Sequence, residues 1–170
     1  MRQVRAWRAF AVLLGLLVLQ ACSPGLNWRT VQLGNLTTLL PCKPDSASRP
    51  VQLAGQNVTM EMTGCEAAGV LFAISRIQAA DAATAPQLMA ALRQATLLQV
   101  QAVGVHPLPD SGDAQTSFDV RVDGKRPDGV ALQARLQWRA LGAQVYQIAA
   151  YGAHLDAAQT DPLTSEARLQ

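Results

Sequence analysis

The sequence of 170 residues contains little charge and few aromatic side chains: 15% of its residues are charged and 5% are aromatic. It also lacks the short motifs of serine hydrolases, P-loop proteins, dinucleotide-binding proteins and zinc peptidases. Only one apolar run is long enough to be considered for a membrane, which excludes a bundle of membrane-spanning helices. The hydrophobic fraction of 49% excludes a disordered chain. The length fits one domain with a small appendage.

The charge gives no reason to expect a nucleic-acid partner. The 14 basic and 12 acidic residues give a formal net charge of +2. Three of the basic residues, Arg2, Arg5 and Arg8, precede the apolar run, so removal of that segment leaves 11 basic against 12 acidic residues, a net charge of −1. A near-neutral domain without a dense basic run does not carry the electrostatic footprint of a nucleic-acid-binding surface.

Residues 1–21 have the architecture of a bacterial signal peptide. The three arginines are followed by the apolar stretch Ala9–Leu19, which is shorter than the ~20 residues of a spanning helix. The segment Leu19-Gln20-Ala21-Cys22 resembles a lipobox, with an aliphatic residue three positions before the cysteine and a small residue directly before it. The resemblance implies cleavage before Cys22, attachment of a diacylglycerol to its thiol and acylation of the new amino group. The alternative is an ordinary secretory leader with an incidental cysteine.

A lipidated Cys22 would be a permanent anchor, because each buried methylene contributes about 0.8 kcal/mol and several acyl chains are attached. Ser23 follows the cysteine, where no aspartate is present, and this resembles the default for transfer to the outer membrane in Gram-negative lipoproteins. The tether 22–27 is short, since each residue spans at most about 3.5 Å. We therefore predict an outer-membrane lipoprotein facing the periplasm, with the membrane and an unidentified envelope protein as its partners.

The two remaining cysteines, Cys42 and Cys65, are predicted to form a structural disulfide, because two cysteines in an exported chain usually pair. Neither belongs to a Cys-x-x-Cys arrangement, and no histidine is near either one in sequence. These features argue against a redox catalyst and against a cysteine nucleophile.

Short strands precede one convincing helix. The predicted strands are Trp28–Leu33, Leu36–Leu40, Val51–Leu53, Val58–Met62 and Val70–Ser75. The polar stretch Asp45–Pro50 is predicted to be a loop. The helix is predicted at about residues 84–103, with Thr84 and Gln87 at capping-box spacing and apolar residues returning at helical spacing. Gly104 is expected to end it.

The C-terminal part has the clearest alternation of apolar and polar residues. Phe118–Val122, Val130–Arg139 and Val145–Tyr151 are predicted to form an antiparallel meander with one apolar and one solvated face. Residues 155–170 are predicted to be a polar tail or a short helix after Asp161-Pro162. The fold class is therefore α+β: an antiparallel sheet of about six to seven strands packed against one main helix, preceded by an N-terminal signal helix.

The domain organisation is then a signal peptide at 1–21, a tether at 22–27, an α+β domain at 28–154 and a tail at 155–170. The proline-rich end of a strand at Leu40-Pro41-Cys42-Lys43-Pro44, the single helix and the strand Val145–Ala149 together resemble uncharacterised proteobacterial lipoproteins and, more distantly, the Mog1/PsbP-type sandwich. The resemblance covers about residues 28–151. Those domains are mostly non-enzymatic accessory domains, so the resemblance implies a binding module.

No combination of residues predicts an enzyme. His106 and His154 lie in predicted loops without a partner at ligand spacing, and two histidines alone do not fill a zinc site. Asp110 and Asp113 flank Ser111-Gly112 and weakly resemble a calcium loop, but the twelve-residue ligand pattern is not there. We therefore predict no catalytic residue, no cofactor and no metal.

Two features leave alternatives open. Four charged residues share the polar faces of adjacent predicted strands: Asp119, Arg121, Arg135 and Arg139. They form either cross-strand ion pairs or a recognition surface for a partner or an anionic headgroup. Trp28 either packs on the domain or lies at the bilayer interface, whereas Trp138 is predicted to be in the core.

The sequence thus favours a non-catalytic interaction module on a lipid-anchored protein. The alternative is a carrier of a small ligand or lipid, held in a cavity between the sheet and the helix. Met60, Met62, Met89 and the many alanines would leave room for that cavity, because methionine adapts its packing.

Overall fold

The computed structural model describes residues 25–109 and 116–170. In these ranges it has ten strands and two helices: β1 (Arg29–Leu33), β2 (Leu36–Leu40), β3 (Asp45–Leu53), β4 (Gln56–Ala67), β5 (Val70–Gln78), α1 (Ala85–Gln99), β6 (Gly104–Pro107), β7 (Thr116–Lys125), β8 (Ala131–Leu141), β9 (Gln144–Gly152), α2 (Ala157–Ser165) and β10 (Arg168–Leu169). The signal helix, Cys22 and the Asp110–Asp113 segment lie outside the described residues. Neither of the two helices is long and apolar enough to cross a membrane.

The strands form two antiparallel sheets. The main sheet has seven strands in the order β3-β4-β5-β9-β8-β7-β6, and the small sheet has the order β1-β2-β10. Helix α1 packs on one face of the main sheet, and the small sheet packs with α2 on the other. The predicted α+β class, with about seven strands against one main helix, is confirmed.

One hydrophobic core lies between the main sheet and α1. Leu88 and Leu92 on the helix pack in the same cluster as Ile77, Leu136 and Trp138 on the sheet. Residues at i, i+2 and i+4 of a strand share a face, so Ala134, Leu136 and Trp138 all point toward α1. Trp138 is fully buried, which confirms its predicted place in the core.

A second core lies between the main sheet and the small sheet. Phe72, Ile74 and Ile148 occupy the alternate positions of β5 and β9 and pack with Leu36 of β2 and Leu163 of α2. These central strands are therefore apolar on both faces, as expected of a sheet that is covered on both sides.

Trp28 belongs to this second core. Its ring meets the Phe72 ring edge to face, with the centroids 6.0 Å apart. Of the two alternatives for Trp28, the structure shows packing on the domain.

The disulfide between Cys42 and Cys65 is present, with the two Cα atoms 5.9 Å apart, so the predicted pairing is confirmed. Cys42 lies just beyond the end of β2, and Cys65 lies within β4. The bond therefore joins the small sheet to the main sheet.

The prediction of a loop at Asp45–Pro50 is wrong, because this stretch is the first part of β3. β3 is an edge strand, and these six residues are all exposed, so neither face carries the apolar residues that identify a strand. Pro50 is tolerated because an edge strand has one unpaired side. The other edge strand, β6, contains Pro107, and the sequence does not predict it because Gly104 indicates only a helix stop.

Helix α1 is shorter than predicted, since it ends at Gln99 with Val100 as the C-cap. The predicted capping box at Thr84 is wrong. The Thr84 side chain makes no cap hydrogen bond to the helix, and its hydroxyl donates instead to the Asp81 carbonyl at 3.1 Å. Pro86 lies in the first turn, as its fixed φ and missing N–H favour.

The prediction of a solvated face on the C-terminal meander is also wrong. From Ala134 to Arg139 every residue of β8 is buried, on both faces of the strand. The segment after β9 folds back over the expected polar face as α2, in which Leu163 and Thr164 are buried. Pro162 lies inside this helix and does not precede it.

Candidate functional site

An open groove lies between the C-terminal half of α1 and the strands β6 and β7. Its volume is about 390 Å³, within the range of ligand-binding clefts. The lining residues are Arg93, Leu97, Val105, Pro107, Leu108, Ser117, Phe118, Asp119, Val120 and Trp138. The groove forms because α1 crosses β8 and β9, whereas β7 and β6 continue the sheet toward its edge.

Gly124 on β7 fixes the end of the helix beside this groove. A Cβ atom at Gly124 would lie 2.2 Å from the carbonyl oxygen of Val100, so only glycine permits this approach. The Lys125 amide donates to the same carbonyl at 2.8 Å, and the Val103 amide donates to the Asp123 carbonyl at 2.8 Å. The C-terminal end of α1 is therefore held by main-chain contacts to β7.

Arg93 is the one cationic side chain among the lining residues. Its guanidinium carbon lies 4.0 Å from the centroid of the Phe118 ring, in the geometry of a cation–π contact. Within residues 25–109 and 116–170, Arg93 forms no ion pair with a carboxylate. Asp119 is also among the lining residues, but its fully buried carboxylate is on the other face of the sheet, where it is bonded to Arg135 at 2.7 Å.

The surface around the groove is apolar. Leu98 and Val103 are 70% and 71% exposed, and Val105 and Phe118 are 45% and 41% exposed. An arginine thus stands among exposed aliphatic and aromatic side chains. Exposed apolar side chains beside a cleft are typical of a binding surface.

A polar network fixes the floor of the groove. The Gln147 side-chain oxygen accepts hydrogen bonds from Trp138 Nε1 at 2.8 Å and from Thr96 Oγ1 at 2.7 Å. The Gln147 amide nitrogen donates to the Tyr151 hydroxyl at 3.3 Å. Burial raises the pKa of Tyr151 to about 12, so its phenol keeps its proton well into the alkaline range. Trp138 is therefore held in one orientation.

Three charged residues of β7 and β8 are buried on the opposite face of the sheet, namely Asp119, Arg135 and Arg139. Asp119 pairs with Arg135, and Arg139 Nη1 donates to the Ala167 carbonyl at 3.0 Å. Gln137 connects them, since its side chain bonds to both Asp119 and Arg139. A cross-strand ion pair therefore exists, but the alternative of a recognition surface is wrong for Asp119, Arg135 and Arg139, because α2 and the residues after it cover them. Arg121 is half-buried.

Each of the two histidines lies beside a carboxylate. His106 lies on β6 and not in a loop, and its Nε2 is 3.2 Å from Asp123 Oδ2 on the neighbouring strand. His154 Nε2 is 3.1 Å from Asp156 Oδ1. Both pairs are exposed, and no group of three potential metal ligands exists in the described part of the chain.

The three methionines do not line the groove. Met60 and Met89 are buried in the core between sheet and helix, and Met62 packs against that core. The cavity is therefore at the β6–β7 end of the sheet and not beside these residues. One sequence signal points to it, since Arg93 and Leu97 are four residues apart and must share a face of α1.

Comparison with known proteins gives no matching family model, no matching curated protein and no matching solved structure. The resemblance to proteobacterial lipoproteins and to the Mog1/PsbP-type sandwich therefore stays a prediction from the sequence.

Proposed function

We propose that the chain is a lipoprotein anchored through Cys22 in the outer membrane, facing the periplasm, and that its domain is a non-catalytic binding module. The observation that carries this proposal is the lipobox Leu19-Gln20-Ala21-Cys22 after an arginine-containing, apolar leader. The disulfide between Cys42 and Cys65 supports it, because such bonds persist in oxidising compartments.

The entry point of the chain defines how an anchored domain would be oriented. The Asn27 amide donates to the Pro41 carbonyl at 2.6 Å, and Leu26 and Trp28 pack in the second core, on the sheet face opposite α1. The small-sheet layer is then the layer nearest the bilayer, because the two residues between Cys22 and Gly25 leave the anchor a reach of only ~10 Å. Since packed layers are about 10 Å apart, the groove opens about 20 Å away, toward the aqueous compartment.

The lining of the groove supports binding over catalysis. It combines one guanidinium with aliphatic and aromatic side chains, whereas acid–base chemistry needs a titratable group free to exchange a proton near the operating pH. A module tethered on one face, with an apolar patch on the other, is suited to recruit a periplasmic partner to the membrane.

The second candidate function is a carrier of a small ligand or lipid. The specific observation that favours it is the groove volume of about 390 Å³ with its mostly apolar lining, which a flat protein-docking surface would not need.

The anchor is tested by measuring the intact mass of the protein purified from membranes. We expect the mass of residues 22–170 plus a diacylglycerol and one further acyl chain. The Cys22→Ala variant should carry neither. A mature wild-type protein with an unmodified terminus near residue 22 would contradict the anchor.

The module is tested by cross-linking in cells and affinity recovery of the tagged chain. We expect one envelope protein with wild type and its loss in Val105→Asp, which puts a charge on the apolar rim of the groove. Arg126→Ala, in the exposed turn between β7 and β8, is the matched control and should keep the partner. Equal recovery with Val105→Asp would show that the groove is not the docking surface.

A further inference from the structure

We infer that the groove binds one acyl chain that ends in a carboxylate, a free fatty acid, and that Arg93 holds the carboxylate. This inference rests on the carrier function proposed above, and its account of how the ligand arrives also rests on the proposed anchor at Cys22.

The lining provides the apolar part of such a site. Leu97, Leu108, Val120 and Trp138 face a common space, and Val105 and Phe118 extend it to the surface. Each methylene transferred from water to such a surface increases affinity about fourfold. A volume of about 390 Å³ lies at the low end for ligand clefts, which suits one acyl chain better than the two of a phospholipid.

Arg93 provides the polar end. A guanidinium presents two parallel N–H groups in a plane, which matches the two oxygens of a carboxylate. The cation–π contact with Phe118 orients this group before any ligand arrives, and no carboxylate of the described residues neutralises it. One positive charge at the edge of an apolar groove is complementary to one negative charge at the end of an apolar chain.

The orientation of the domain fits a ligand that arrives from the aqueous side. The chain enters the fold at the layer opposite α1, so a groove beside α1 is remote from an anchor at Cys22. A fatty acid monomer has measurable solubility in water, whereas a phospholipid would have to be extracted from the bilayer.

The test uses membranes from cells that produce the full chain and a palmitic acid that carries a photoreactive diazirine. Isolated membranes are used so that the probe is not attached enzymatically to Cys22, and labelled peptides are located by mass spectrometry. The matched probe is the corresponding fatty alcohol, which has the same chain and no charge. In wild type we expect labelling of peptides from 93–108 and 116–120, with the acid favoured over the alcohol by about tenfold, the factor for one charge-assisted hydrogen-bonding pair.

Three variants make the test specific. Arg93→Gln should remove the preference for the acid, and Arg93→Lys should keep part of it, because lysine retains the charge but not the planar fork. Arg126→Gln, a distant exposed arginine, should leave the preference unchanged. Val105→Trp, on an exposed position of β6, fills the groove and should reduce labelling by both probes. For each variant, the thermal unfolding midpoint and the disulfide are checked against wild type.

The outcomes separate this inference from the proposed function. Equal labelling by acid and alcohol in wild type would overturn the role of Arg93. Stronger labelling by a photoreactive lysophospholipid than by the acid would overturn the inference that the ligand ends in a carboxylate. No labelling of the groove by any probe would overturn the ligand site, and a lipidated Cys22 in the same sample would show that the proposed anchor is unaffected by this result.

Discussion

Asp119 on β7 accepts a 2.7 Å hydrogen bond from the guanidinium of Arg135 on β8, and the exposed fractions of the two side chains are 0% and 11%. Arg135 also reaches Thr164 Oγ1 at 3.4 Å, so the pair lies directly beneath α2. The last helix therefore packs on the main sheet over a buried ionic contact and not over apolar side chains alone. Breaking such a pair is costly, because it leaves a charge in a poorly solvated site.

The first prediction concerns this pair. Asp119→Ala should lower the free energy of unfolding by about 3–5 kcal/mol, because Arg135 stays buried without its carboxylate. The double variant Asp119→Leu/Arg135→Met should recover most of this loss, since apolar side chains of similar volume replace both charges. The measurement is urea unfolding followed by circular dichroism.

Asp128→Ala is the control for the ionic contact. Asp128 pairs with Arg126 at 3.1 Å, but both side chains are more than half exposed, so little stability should be lost. If Asp119→Ala lost as little stability as Asp128→Ala, the buried ion pair would contribute no more to the free energy of unfolding than an exposed one.

This buried pair also shows what the sequence could not predict. The alternation in 116–125 and 131–141 is regular, so the strands themselves could be predicted. The covering of their polar face depends on α2. Leu163 is the one large apolar residue of this helix, so no apolar stripe predicts which side of it is buried. Burial of Arg135 follows from a tertiary contact between segments about 30 residues apart, which local periodicity does not contain.

The groove also depends on tertiary contacts that the local sequence pattern does not contain. Trp138 and Phe118 could be assigned to the apolar side of their strands, but Arg93 could not be assigned to a site, because the groove joins α1, β6 and β7. β6 has only four residues and one of them is proline, so no periodic signal marks it. The site therefore depends on an element that sequence patterns cannot detect.

The second prediction concerns the disulfide. The double variant Cys42→Ser/Cys65→Ser should lose about 3 kcal/mol of stability, because the bond closes a loop with a sequence separation of 23 residues and restricts the unfolded chain. The measurement is urea unfolding of the variant beside oxidised and reduced wild type. Reduced wild type is the control and should match the variant. A variant as stable as oxidised wild type would mean that the bond constrains the unfolded chain little.

The third prediction concerns Gly124. Gly124→Ala should cost about 3 kcal/mol, because the new methyl group meets the rigid carbonyl of Val100 and the end of α1 must move. Gly104→Ala is the matched control on the adjacent strand. There the nearest atom, at 3.0 Å, belongs to the exposed side chain of His106, which can rotate away, so stability should stay within about 0.5 kcal/mol. Equal stability of the two variants would contradict the close approach of β7 to the helix.

The fourth prediction concerns Tyr151 at alkaline pH. Burial raises its pKa from 10.0 to about 12, so the folded protein keeps the phenol proton at pH values where the unfolded chain releases it. The stability linked to this proton is complete below pH 10 and is lost as the pH rises, by about 1.4 kcal/mol per pH unit between pH 10 and pH 12. Tyr151→Phe removes the ionising group, so the part of the decrease in stability with pH that is due to Tyr151 should be absent in this variant.

The measurement is urea unfolding of wild type and Tyr151→Phe across the alkaline range. The difference in stability between the two proteins should be constant below pH 10, and above it the variant should gain relative to wild type. Burial also raises the pKa of Tyr146, so both proteins should keep a residual alkaline slope, and Tyr146 serves as the internal reference. Parallel stability curves up to pH 12 would show that the Tyr151 hydroxyl is as well solvated in the folded protein as in the unfolded chain.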